Sequence, residues 1–155
     1  AFEAVKKVRN ANAAPAETFS VQKIPAKNSI AAAPLEKILG VKGESKDGMF
    51  KAVIGRKVTM PCGCQVGKEM GVNTWAAFGG SDDNAVVAGD CVVLADELQP
   101  VLKSLRSSGV NIVAIHHHMT HEEPRMFFLH YWGRDKAANL ATAVKRALAH
   151  TAEDR

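Results

Sequence analysis

Hydrophobic residues in the first thirty-three positions follow neither a helical nor a two-residue period. The stretch is rich in Ala and interrupted by Pro15 and Pro25, and it predicts an extended, partly disordered lead with one short helix over residues 2–8. The folded part is expected from Pro34 onward, giving a basic lead over 1–33 and a single domain over 34–155. Residues 35–39 read as a short helix stopped by Gly40, and residues 49–60 as a strand or hairpin arm.

Past Gly71 the alternation sharpens. Residues 74–78 and 85–94 predict two strands joined through the turn-rich "GGSDDN". Asp96 is expected to cap the next helix: Leu98, Val101, Leu102 and Leu105 recur at helical spacing, Pro100 falls early enough to be tolerated, and Gly109 lies past the end. Residues 110–118 carry apolar positions on both faces, which predicts a central strand covered on both sides. Residues 125–132 predict another strand, and from Asp135 a second amphipathic helix aligns Leu140, Val144, Ala147 and Leu148. This repeated strand-strand-helix order predicts an α+β fold, a two-layer sandwich of helices on a mainly antiparallel sheet.

At 155 residues the chain is long enough for one core without metal or disulfide staples. No apolar run approaches the roughly 18 to 20 residues of a membrane-spanning helix, so no membrane span is expected. A pI near 9.1 suggests an anionic partner only until the charge is located. Residues 1–57 hold eleven Lys and Arg against five Asp and Glu, whereas residues 58–155 hold nine against eleven. The basicity therefore belongs to the N-terminal part, which has no nucleic-acid motif and few aromatics for base stacking, so no nucleic-acid partner is expected.

Candidate chemistry concentrates in "AIHHHMTHEEPRMFFLH", residues 114–130, which holds five of the six histidines. On a strand His116 and His118 share a face and His117 points away, and two imidazoles roughly 6.5 to 7 Å apart along the strand can close on one ion. His121, Glu122 and Glu123 on the following turn offer further ligands. His130 joins the set only if His118 pairs with Met126, because a one-residue slip sends it to the other face. Clustered imidazoles flanked by carboxylates favour a metal or catalytic site over simple packing. Asp90, inside an apolar strand, needs a partner, either Arg125 or the second nitrogen of a ligating histidine. Arg125 in turn suits Glu123, Asp90 or a small anionic ligand.

Cys62 and Cys64 in "MPCGCQVG" suit a soft ion such as Cu(I) or a redox pair, or are inert. A bond between them closes a very small ring, so a disulfide scaffold is not expected. Cys91, mid-strand, reads as core. Trp75, Phe78, Phe127, Phe128 and Trp132 read first as core and second as pocket walls. No GxGxxG, Walker or GxSxG pattern occurs, and "HHHMTHE" lacks the helical HExxH arrangement.

The segments "KEMGVNTWAAFGGSDDNAVVAGD", "DELQPVLKSLRSSGVNIVAIHHHMT" and "EEPRMFFLHYWG" give the chain a resemblance to the LppY/LpqO family, a bacterial domain of unknown function (DUF1259), from about Pro34 to the last helix. The family's His-x-His-Met, Glu-Pro-Arg and later His fall here on His116, His118, Met119, Glu123, Pro124, Arg125 and His130, with Asn or Gln usual where this chain has His117. The resemblance implies export, in keeping with a chain that begins with Ala rather than Met although residues 1–16 hold no apolar signal core. It also implies an association with heavy-metal resistance.

The leading expectation is thus an exported, periplasmic protein that holds a transition-metal ion, copper or zinc, through His116 and His118, completed by His130, Glu123 or His121. Asp90 and Arg125 stand behind these ligands. Two alternatives remain open: a metal-dependent enzyme with Glu122 or Glu123 as general base, and a metal-free module for a small anion or a protein.

Overall fold

The computed structural model describes residues 2–11 and 23–151; residues 1 and 12–22 of the expected lead lie outside the described residues. Helix α1 (Phe2–Ala11) extends the short helix expected at the N-terminus and leaves Phe2, Val5 and Val8 exposed. Packing against the domain begins ahead of Pro34. Asn28 accepts a hydrogen bond from Gly80 N–H through Oδ1 (2.8 Å), Ala31 N–H donates to Asp82 Oδ1 (3.0 Å), and Ile30 is buried in the core.

The order of elements is α2 (Ala32–Leu39), β1 (Gly43–Lys46), β2 (Met49–Val53), β3 (Val58–Thr59), β4 (Gln65–Val66), β5 (Trp75–Ser81), β6 (Asn84–Leu94), α3 (Leu98–Ser107), β7 (Asn111–His116), β8 (Met126–Asp135) and α4 (Ala137–Leu148). Six strands form one antiparallel sheet in the order β1-β2-β5-β6-β8-β7, and β3 pairs with β4 as a separate ribbon. With three helices on one face, this is the expected α+β two-layer sandwich, and β5-β6-α3 followed by β7-β8-α4 is the expected repeat. The stretch expected as one arm over 49–60 is instead two strands, separated at residues 54–57.

The helix-covered face carries the main core. Cys91, Val93, Leu129 and Tyr131 from the central strands meet Leu35 and Leu39 of α2, Val101 and Leu105 of α3, and Leu140 and Val144 of α4. Tyr131 crosses Gly89, where an added Cβ would collide with its ring and hydroxyl, and donates to the Trp75 carbonyl (3.1 Å). Only a residue without a side chain leaves room for that bond.

Burial along β6 reports a second cover. Its first half alternates between buried and half-buried positions, and from Gly89 onward every residue is buried. There the β3–β4 ribbon lies over the opposite face, and Val58, Val66, Val72, Val92, Leu94, Met126 and Phe128 form a smaller core.

Three expectations need correction. The strand over 110–118 is not central: β7 is an edge strand with Val113 66% and Ile115 44% exposed. Apolar residues on both faces mark a covered central strand, but the same pattern arises from a bulge, and here Val113 is an extra residue between Ile112 and Ala114. Asp96 does not cap α3, which Glu97 precedes without a side-chain cap bond. Glu97 instead turns back to accept Leu94 N–H (2.8 Å) and both terminal nitrogens of Arg56 (2.6 and 2.8 Å), joining the end of β6 to the start of α3. Cys62 and Cys64 are bonded to each other. Gly63 adopts a left-handed φ of 78° that turns the chain back and leaves the flanking Cα atoms 5.4 Å apart, a separation that suits a disulfide.

Candidate metal centre

Paired residues on antiparallel strands share a face, so the register decides what meets on the side away from the helices. Trp75 pairs with Asp90, Asp90 with His130, and His130 with Ala114; one step along, Val92 pairs with Phe128 and Phe128 with His116. This is the register that brings His130 to the side of His116. His118 follows the end of β7 and folds over Phe128, with ring centroids 3.4 Å apart, and it stacks on His116 at 5.1 Å.

His116 and His130 are half-buried and stacked at 5.0 Å, and their Nε2 atoms stand 2.9 Å apart. That separation is a hydrogen bond when one Nε2 carries a proton and the other is bare. It is equally the spacing of two ligands bound to one ion. Metal–nitrogen bonds of about 2.0 to 2.1 Å would then meet at an angle of about 90°. Burial favours the neutral His118 ring, as do the neighbouring His116 and His130; Asp90 acts in the opposite sense, and the net pKa is lowered. A neutral imidazole is the form that binds metal.

Two buried side-chain acceptors of the sheet are unsatisfied. Asp90 is 8% exposed, and its Oδ1 is buried without a hydrogen-bond partner, as is Asn73 Oδ1. Continuing the β5 alternation back from Trp75 places Asn73 on the same face. A buried acceptor without a donor costs about 1–3 kcal/mol, and positive charge nearby relieves that cost. Among the described residues, however, no three His, Cys, Asp or Glu side chains converge closely enough to hold an ion as they stand.

The other expected residues stand apart. His117 faces the opposite way, its Nδ1 2.8 Å from the Met126 carbonyl and its ring against Phe127 at 4.5 Å. Glu122 follows it: one carboxylate oxygen lies 3.5 Å from His117 Nδ1 and accepts Met126 N–H (3.4 Å). A hydrogen bond from its own backbone N–H, helped by Met126, His117 and Arg125, outweighs desolvation and holds its carboxyl below the usual carboxylate range, which weakens it as a base. His121, Glu123 and Arg125 are exposed on the turn, and no described contact joins them to the three rings. Arg125 therefore does not partner Asp90. Cys62 and Cys64 lie at the tip of the β3–β4 ribbon, and Cys91 is buried on the helix side. Of the aromatic residues, Phe78 and Phe128 are buried, whereas Trp75, Phe127 and Trp132 are half-buried.

Sequence reading missed Asn73 and the Arg56–Glu97 pair. Asn73 was open to detection, because a polar residue two positions before Trp75 in "VNTW" repeats the face of Trp75. Nothing local links Arg56 to a carboxylate forty-one positions away. Their pair is 7% and 8% exposed, and Arg56 also donates to the Val92 carbonyl (2.8 Å). A cavity of about 630 Å³ opens beside Arg56 and Lys145 at the ends of α2 and α4, and no histidine lines it.

A family model described as a Domain of Unknown Function (DUF1259) matches residues 33–150. The chain belongs to the DUF1259 family. The match covers every element of the six-stranded sheet, together with the ribbon and the histidine cluster of this DUF1259 domain. No curated protein and no solved structure matches the chain. No described helix of this DUF1259 protein is long and apolar enough to cross a membrane.

Proposed function

We propose that this DUF1259 protein is an exported binder of a transition-metal ion, serving metal resistance or homeostasis. The observation that carries the reading is the pair of Nε2 atoms of His116 and His130, 2.9 Å apart on neighbouring strands. His118, stacked beside them beyond the end of β7, completes the set by side-chain rotation. Asp90 supplies negative charge from behind. The near-right angle that this spacing implies suits tetragonal copper better than tetrahedral zinc. Glu122 is engaged with His117 and Met126, which favours binding over hydrolysis by a glutamate base. The Cys62–Cys64 disulfide fits an oxidising compartment and hence export.

The test is elemental analysis of untagged protein dialysed against copper or zinc, beside a His116→Ala/His130→Ala variant. One ion per chain in the wild type and none in the variant is the expected result. A metal-free wild type, or a variant that holds as much, ends the reading. Export is tested separately by fractionating cells that express the native gene.

A further inference from the structure

We propose that Cys62 and Cys64 form a thiol-disulfide exchange site whose substrates are exposed dithiols. The pair stands at the tip of the β3–β4 ribbon with both residues exposed, while Val58 and Val66 anchor the base of that ribbon in the smaller core. Its bond closes a loop of three residues, and so short a loop restricts the unfolded chain less than any longer one.

The turn is also held without the sulfurs: Met60 N–H donates to the Cys64 carbonyl (2.9 Å) and Gly63 N–H to the Met60 carbonyl (2.8 Å). The disulfide therefore adds little to the fold, and opening it leaves the backbone of the tip in place. Exposed disulfides of this kind are the labile ones. Cys91 does not compete, because it is 3% exposed on the other face and burial pushes its thiol up to about 12.

In the reaction a substrate thiolate attacks one sulfur, the bond between the cysteines breaks, and the released cysteine takes up a proton. The second substrate thiolate then attacks the mixed disulfide, forming the substrate disulfide and freeing the other cysteine, which is protonated in turn. Two thiols are oxidised to one disulfide and the protein pair is reduced to a dithiol. Two protons pass from substrate to protein through solvent. Oxidised glutathione restores the pair by the same steps in reverse.

The full chain is equilibrated in glutathione buffers of increasing reducing strength, alkylated in the folded state at neutral pH with excess reagent, and weighed. The expected result is the joint gain of two alkyl groups, with Cys91 unlabelled until denaturant is added. Substoichiometric protein also speeds oxidation of a dithiol peptide by oxidised glutathione, and the Cys62→Ser/Cys64→Ser variant does not. Cys64→Ser alone accumulates one glutathione on Cys62, and both variants keep a thermal midpoint close to the wild type. A pair that stays closed in reducing buffer overturns the proposal. So does labelling of folded Cys91 in its place, or a peptide oxidation rate no faster than that of the double variant.

Discussion

The two faces of the sheet differ in which polar groups they leave unmatched. On the helix side, the polar groups that enter the core are matched: Tyr131 donates to the Trp75 carbonyl, and Thr74 accepts Val92 N–H (3.1 Å). At the edge of that core Glu97 and Arg56 bind each other and the backbone, with the Arg56 Nε left as a buried donor without an acceptor. On the other side, Asp90, paired with His130 and close to His118, keeps a buried acceptor without a donor, and Asn73 keeps another. The unmet group beside the helix core is a donor at its edge, whereas those on the other face are acceptors, whose sign suits a cation. A domain bears unsatisfied groups where function needs them, and the smaller core beneath the β3–β4 ribbon supports this arrangement.

The largest expected effect belongs to the helix side. Glu97→Ala strands the Arg56 guanidinium in a buried position, and urea unfolding should register a loss of about 3–5 kcal/mol. A paired experiment on adjacent residues of β8 then contrasts the faces directly. Leu129→Ala removes a fully buried side chain from the helix core, at a cost of about 2–5 kcal/mol. His130→Ala should cost less than about 1 kcal/mol while abolishing metal retention. Equal stability losses for the two would erase the distinction between the faces.

Asp90→Asn refines the comparison on the histidine side alone. It removes the charge behind His130 at nearly constant volume, and metal affinity measured by competition with a chelator should fall about 10- to 100-fold. The smallest effect is alkaline. Burial raises the Cys91 thiol from 9.0 to about 12, above its value in the unfolded chain, so its contribution is complete below about 9 and is lost as pH rises toward about 12. By pH 10 the loss should be roughly 1 kcal/mol in urea titrations, and smaller in a Cys91→Ala variant. Tyr131, whose buried hydroxyl is likewise raised, adds in the same direction at higher pH.

Elements with a clear period were legible in the sequence. The stripe from Leu98 to Leu105 became α3, the one from Leu140 to Leu148 became α4, and "GGSDDN" joined β5 to β6. Alternation also separates His117 from His116 and His118, although β7 ends at His116 and the two later rings are placed by the segment that follows it. What required partners distant in sequence was not legible. The edge position of β7 depends on which strands flank β8, and the Arg56–Glu97 pair depends on how the segment after β2 meets the start of α3. Ring size alone argues against the disulfide, and the left-handed turn at Gly63 that brings the two cysteines together becomes visible only in the folded backbone.

The bulge in β7 carries a consequence for how mutation can act on the histidines. Ile112 pairs with Tyr131 on the helix side, whereas Ala114 and His116 pair with His130 and Phe128 on the other, although all three positions are even-numbered. Val113 shifts the phase of the strand by half a period between them. Loss of a residue within a strand ordinarily turns everything beyond it inside out. Here the deletion of Val113 is the one that would restore a regular ladder and leave both Ile112 and His116 facing as they do now. A deletion at Ile115, two positions further on, would swing His116 toward the helices. The reading frame of the histidine cluster is thus set by Val113, which has no pairing partner of its own in β8, and a chain one residue shorter at this point can carry the same pair of imidazoles.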